Sequence, residues 1–188
     1  MDNATREKYL NTTLQGTEKL KNLVDELFEL SKLESKQTKA QIEPFSIQEL
    51  TFDIANQFKI ASAEKGIVLT VDSPSDIPVV KGDIALIDRV IQNLITNSIK
   101  HCENGDSIKI DIRQDEGVVW VSVSDTGSGI APEDLPHLFD RFYKGRSGQK
   151  GTGLGLAIVK HILELHHSTF KVDSKQNEGT KFVFSLNI

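Results

Sequence analysis

The sequence predicts an α+β fold: a two-layer α/β sandwich, with a mixed, antiparallel-rich sheet packed on helices, preceded by one long amphipathic helix. Three patterns predict it. Residues 5–36 hold no proline and one glycine, and their apolar residues recur at steps of three and four. Beyond residue 40, segments of period two alternate with segments of helical period. Asp115-Glu116-Gly117 and Asn177-Glu178-Gly179 each separate two alternating runs and mark hairpins.

The elements follow in order. The first helix is expected over Thr5–Lys36, with Leu10, Leu14, Leu20, Leu23, Val24, Leu27, Leu30 and Leu33 in one stripe. Lys19, Lys21, Asp25, Glu26, Glu29 and Lys32 cover much of the rest. Such a stripe needs a partner, either another helix of this molecule or a second copy. The polar run Glu34–Gln41 sets it apart, which divides the chain into residues 1–38 and 39–188. A short strand over Gln41–Phe45 precedes the capping box Ser46-Ile47-Gln48-Glu49, which opens a helix to Lys65 closed by Gly66. Ile67–Val71 is a strand, and a proline-bearing connection leads to Val79-Val80. Asp83 caps a helix over Ile84–His101. Ile108–Ile112 and Val119–Val123 alternate as strands, Pro132–Phe142 and Gly153–His166 are expected as helices, and Phe170–Val172 pairs with Phe182–Leu186.

Composition narrows the function classes. A hydrophobic fraction of 38% and a charged fraction of 26% are those of an ordinary soluble protein. A net charge of −5 argues against a general nucleic-acid binder. Cys102 is the single cysteine, which excludes an internal disulfide and a cysteine-cluster zinc site and suits a reducing compartment. No apolar run approaches the roughly 20 residues that cross a bilayer, and the N-terminus is polar, so the chain is expected to be cytoplasmic. A parent protein anchored in a membrane is compatible with this.

Three segments carry chemistry. On the helix Ile84–His101, the residues Arg89, Asn93, Asn97 and Lys100 fall at steps of four, four and three and form a polar stripe. Asn97 offers a neutral oxygen to Mg²⁺, and Lys100, one turn on, offers a point charge to the same phosphates. A plain solvated helix face has the same pattern. In Asp125-Thr126-Gly127-Ser128-Gly129 an acid stands where a strand stops, placed to accept from an exocyclic amine such as adenine N6. The glycines let the chain turn and approach a ligand, although Asp-x-Gly also marks ordinary turns. Gly151-Thr152-Gly153-Leu154-Gly155-Leu156 opens a helix with free N–H groups, the usual cradle for an anion. It fits neither the dinucleotide fingerprint, since Leu156 stands where a third glycine belongs, nor the P-loop. The preceding run Tyr143–Lys150 is basic and glycine-bearing, and reads as a flap over the ligand or a surface loop. Together the segments suit a magnesium nucleotide.

In this order they resemble the catalytic ATP-binding domain of bacterial sensor histidine kinases, in the gyrase–Hsp90–histidine kinase–MutL (GHKL) superfamily with its Bergerat-type fold. Asn93–His101 is similar to the N box, Asp125–Gly129 to the G1 box, Leu138–Tyr143 to the F box and Gly151–Leu156 to the G2 box. The helix ending Leu30-Ser31-Lys32-Leu33-Glu34-Ser35 resembles the second helix of the family's dimerisation and phosphoacceptor hairpin.

The resemblance implies roles. Asn97 would ligate Mg²⁺, with Asn93 near the phosphates, and Lys100 would contact phosphate. His101 would lie near ribose and phosphates, Asp125 would read the adenine amine, and Gly127 and Gly129 would shape the base pocket. Arg141 and the lid, Arg146 included, would lie near phosphate, with Phe139 and Phe142 anchoring the lid. Gly151, Gly153 and Gly155 would cradle the phosphates, and Ile130, Thr152, Leu154 and Leu156 would join the nucleotide contacts. The implied chemistry is transfer of the ATP γ-phosphoryl to a histidine and on to the aspartate of a response-regulator receiver domain, in a homodimeric parent. ATPases of the superfamily carry a glutamate at the position of Asn93; an amide cannot take a proton, which favours transfer over hydrolysis.

Two departures stand out. The family's phosphoacceptor histidine precedes an acid on the first hairpin helix, whereas His101, His137, His161, His166 and His167 have no such neighbour. The chain therefore reads as a fragment that binds ATP without its own target. Ser98 stands where alanine is usual, and the exchange is expected to be tolerated. Two other classes share features with this reading: an anti-sigma-type serine kinase, against which the upstream helix argues, and a non-catalytic nucleotide-binding or dimerisation module.

Overall fold

The computed structural model describes residues 2–35, 39–145 and 151–188. Helix α1 spans Asn3–Glu34 and α2 spans Ile47–Glu64. Ser46 caps α2, its hydroxyl accepting from the Glu49 amide at 3.2 Å, and Gly66 follows with φ 70°. Asp83 caps α3 over Ile84–His101 by accepting from the Leu86 amide at 3.2 Å. Helix α4 covers Gly155–Leu165, two residues inside the expected start.

The strands form two sheets. β1 (Glu43–Phe45) pairs antiparallel with β3 (Val80–Gly82). The main sheet takes β2 (Val68–Asp72), β4 (Ser107–Asp115), β5 (Val118–Asp125), β6 (Phe170–Lys175) and β7 (Gly179–Asn187) in the order β2-β4-β5-β7-β6. Only β2 and β4 run parallel in it, joined through α3. Period two decides which face is buried. Ile108, Ile110 and Ile112, Val119, Val121 and Val123, and Phe182, Phe184 and Leu186 all point at the helices and are at most 2% exposed. On the opposite face Lys109 and Arg113 pair with Asp72 and Asp111. This is the two-layer α+β sandwich, with its core between the sheet and α2, α3 and α4.

One expectation is corrected. Pro132–Phe142 is not an α-helix; a single 3₁₀ turn covers Leu135–His137. Pro136 would be the fifth residue of such a helix and has no N–H for the carbonyl of Pro132, and Phe142 leaves helical space at φ 62°. The apolar stripe of α1 is divided. Leu30 and Leu33 are buried where α1 packs on α4, whereas Leu10, Leu14 and Leu20 are about 60% exposed. No helix among the described residues is long and apolar enough to cross a membrane.

The divided stripe makes a direct prediction. Leu30→Ala should cost about 2–4 kcal/mol in denaturant unfolding, since it opens a cavity in the core. Leu14→Ala should change stability by less than about 0.5 kcal/mol. Equal effects would mean that α1 is not seated as described.

Candidate functional site

A cavity of about 480 Å³ opens between α3, the end of β5 and the loop leading into α4. Its floor is the polar face of α3. The opposite face, Ile87, Val90, Ile91, Leu94 and Ile95, is buried in the core, so the helical period turns Asn93, Asn97, Lys100 and His101 to the cavity. Arg89, Gln92 and Thr96 share that face.

Asp125 closes one end of the cavity. It is the last residue of β5 and only 7% exposed. Its Oδ1 accepts from the amides of Gly127 at 3.2 Å and Thr180 at 3.3 Å. Its Oδ2 accepts from the Ser98 hydroxyl at 2.8 Å. Burial pushes its pKa up, against the opposing pull of those hydrogen bonds and of His101. Burial also lowers the pKa of His101, Asp125 raising it and Lys100 lowering it further. Gly129, at φ 62°, admits no side chain: a Cβ there would lie 2.0 Å from the Lys175 carbonyl oxygen. Gly129 and Ile130 line the cavity beside Asp125.

The glycine loop forms another wall of the cavity. Gly151, Thr152, Gly153, Gly155 and Leu156 line the cavity. No side chain caps the N-terminus of α4, which leaves its first amides to an anion. A Cβ on Gly155 would come 3.1 Å from Asn93 Oδ1, so glycine lets this loop approach α3. Asn93 Nδ2 is buried without a hydrogen-bond partner. An orphaned donor of this kind is costly, and an acceptor such as a phosphate oxygen would satisfy it. These groups fit a nucleotide triphosphate. Among the described residues no group of three His, Cys, Asp or Glu side chains could hold a metal. That suits Mg²⁺, which is commonly held by few protein ligands together with substrate phosphates and water.

Other expected residues lie elsewhere. Arg141 donates to Glu34 of α1 and does not line the cavity. Phe142 is half exposed, and its amide donates to the Gly153 carbonyl at 2.9 Å, so it props the loop from outside. Leu154 is fully buried in the core. Gly127 packs on the backbone of His101, where a Cβ would come 2.4 Å from the carbonyl oxygen. Arg146, with the rest of the flap over residues 146–150, lies outside the described residues.

Two contributions escaped the sequence. Thr180 lines the cavity and is paired in register with Asp125; its position becomes visible only when the β5–β7 pairing is known. Glu26 of α1 reaches the cavity wall and accepts from the Thr152 hydroxyl, while Glu29 of α1 takes two hydrogen bonds from Arg89 Nε and one from Nη2.

Fold and cavity define a nucleotide-binding α/β sandwich of the kind that joins an amide-bearing helix to a strand-end acid and a glycine loop. Residues 82–188 match the histidine kinase-, DNA gyrase B- and HSP90-like ATPase family, and the chain belongs to it. It is 31% identical over 189 residues to the sensor-like histidine kinase SenX3 of Mycobacterium tuberculosis, covering 98% of this chain and 46% of that protein. The chain thus spans about half the length of the curated relatives it matches. Full-length ShkA, solved in complex with AMPPNP, superposes with a TM-score of 0.85 at 24% identity, over 96% of this chain and 38% of that one. The histidine kinase ThkA, solved in complex with the response regulator TrrA, gives 0.79 at 24% identity, over 100% of this chain and 52% of that one.

The raised pKa of Asp125 has a testable sign. A carboxyl with a higher pKa folded than unfolded binds its proton more tightly in the native state. Its contribution to stability is then present at low pH and lost as pH rises through the native value. Without nucleotide, the wild type should lose stability relative to Asp125→Asn as pH climbs from below the ordinary carboxylate range to neutrality. Denaturant titrations at several pH values measure this, and a flat difference would refute it.

Proposed function

We propose that this chain is the ATP-binding kinase core of a sensor histidine kinase. It would transfer the γ-phosphoryl of ATP to a histidine of a dimerisation hairpin, for relay to an aspartate of a response-regulator receiver domain. The observation that carries this reading is the convergence of Asn93, Asn97, Lys100, Asp125 and the glycine loop on one cavity. Family membership and the kinship with SenX3 support it, as do the AMPPNP bound by ShkA and the response regulator bound by ThkA.

In this reading the work is positioning and charge neutralisation. Asp125 accepts from the adenine amine, and the uncapped amides of α4 face the phosphates. Asn93 Nδ2 donates to a phosphate oxygen, and Lys100 sets a positive charge beside the loop, 3.6 Å from where a Cβ of Gly151 would stand. Asn97 is the residue that would hold Mg²⁺, whose charge would offset that developing on the transferred group. Burial holds the pKa of His101 below the usual imidazole value, which reduces the positive charge it adds to the site. Asn93 cannot act as a base toward water, which favours transfer to a protein side chain over hydrolysis. Residues 1–38 would be the second helix of the hairpin, and the exposed leucines of α1 would meet its partner helices in a homodimeric parent. That parent would hold this domain in the cytoplasm, with or without a membrane anchor of its own.

The test is phosphotransfer in trans. Mixed with γ-labelled ATP, Mg²⁺ and a hairpin bearing the acceptor histidine, the chain should label the hairpin with an acid-labile, base-stable phosphate. An acid-stable product, or no label despite bound ATP, would overturn the assignment. Asn97→Ala and Asp125→Ala should each weaken Mg·ATP binding by on the order of tenfold or more in calorimetry, the scale of one lost hydrogen bond or metal ligand to a charged group. Unchanged affinity in both would point to a module that does not use this cavity for nucleotide.

A further inference from the structure

Behind the base-reading acid stands a side chain outside the cavity lining. Ser98 lies on α3, one residue beyond Asn97, but is turned inward and fully buried. Its hydroxyl is the only side-chain donor to Asp125 among the described hydrogen bonds. A serine within a helix often turns its hydroxyl back to a carbonyl of its own helix; this one crosses to β5 instead.

The acceptor inventory gives that bond a meaning. A carboxylate has about four lone-pair sites, two on each oxygen. Both sites on Asp125 Oδ1 are occupied, by the Gly127 and Thr180 amides. One of two on Oδ2 is occupied, by Ser98. A single acceptor site is left, on the oxygen that Ser98 holds. The two amide bonds are long, at 3.2 and 3.3 Å, and share one oxygen, whereas the serine bond is 2.8 Å and to the other. Rotation of the carboxylate about its Cβ–Cγ bond is therefore resisted at Oδ1 by the two amides and at Oδ2, among the described hydrogen bonds, by Ser98.

We propose that Ser98 is a positioning residue for base selection: it aims the one free acceptor of Asp125 at the 6-amino group of an adenine nucleotide. The inference rests on the reading of Asp125 as the adenine contact. It gives the hydroxyl a purpose at a position where exchange with alanine would otherwise be expected to pass unnoticed. Ser98 itself does not line the cavity; it acts through Asp125.

The experiment compares two ligands by calorimetry: ADP, and purine riboside 5′-diphosphate, which lacks the 6-amino group. Wild type should prefer ADP. Ser98→Ala should lose on the order of tenfold in ADP affinity, the scale of a hydrogen bond to a charged group, with purine riboside diphosphate affinity changed less than about twofold. Ser98→Thr should restore the preference for ADP, and Ser98→Cys, a weaker donor of similar shape, should fall between. In an Asp125→Ala background, Ser98→Ala should have no further effect on the ratio. Equal loss for both ligands would mark Ser98 as a packing residue and overturn the proposal, as would no loss for either. A wild type that binds both ligands equally would overturn the underlying reading of Asp125 as well, which separates the two failures. Thermal melts of each variant, with Ser98→Cys as the least perturbing, distinguish misfolding from lost selection.

Discussion

The site depends on the amphipathicity of one helix. α3 is held by five side chains, Ile87, Val90, Ile91, Leu94 and Ile95, each at most 1% exposed. Burial of side chains of this size contributes about 1.5–3 kcal/mol each before entropy is counted. That anchoring is what keeps two carboxamides and a lysine on one face at the cavity floor. None of those polar groups needs to stabilise the fold, and Asn93 Nδ2 stands unpaired in it. Packing on one side of the helix thus holds an unsatisfied polar arrangement on the other, a division common where a site must await its ligand.

Backbone closeness is the second constraint. Gly129 at φ 62° and Gly179 at φ 102° lie against the Lys175 and Asp125 carbonyl oxygens, and a Cβ on either would approach to 2.0 Å. They draw the β6–β7 turn onto the Asp125 loop, which brings the Thr180 amide to the carboxylate. Gly153, at φ 77°, presses on the backbone of Phe142 and fixes the loop into α4. The cavity walls are therefore main chain at its narrowest points. Alanine at Gly129 or Gly179 would meet backbone, which has little room to give.

Much of this was legible in the sequence because local chemistry and fold agree. The bounds of α3 follow from Asp83 and the apolar period, and the strands follow from alternation. Asp125 and the glycine loop become conspicuous only together with the polar stripe of α3 and in that order, since each alone has an ordinary structural reading. What stayed hidden depends on pairing between distant segments. The Asp125–Thr180 register sets a threonine at the Asp125 end of the cavity that no local pattern marks. Gly127 has the same sequence signature as Gly129 but packs on His101 rather than facing the cavity. Arg141 stands just before the basic flap, and only the approach of α1 turns it to Glu34. Ser98 looks like a small, replaceable residue until β5 is laid beside α3.

How α1 sits at the cavity follows from comparing magnitudes. Its acids meet the domain at three points: Glu26 at Thr152 and Glu29 at Arg89 on the cavity wall, and Glu34 at Arg141 and His161 outside it. These groups keep between about a quarter and a half of their side-chain surface in contact with solvent at Glu29, Glu34, Arg89 and Arg141. Ion pairs so exposed contribute about 0–1 kcal/mol each and weaken further with salt. Leu30 and Leu33, by contrast, are buried against the domain, at about 1.5–3 kcal/mol each. The leucines therefore supply the adhesion, and the acids select which face of the domain α1 meets. That choice has an electrostatic consequence. It draws Arg89 and Arg141 toward carboxylates and places Glu26 at the cavity wall beside Thr152, so among the cavity-lining cations Arg89 is paired with an acid of α1 whereas Lys100 stands at the glycine loop.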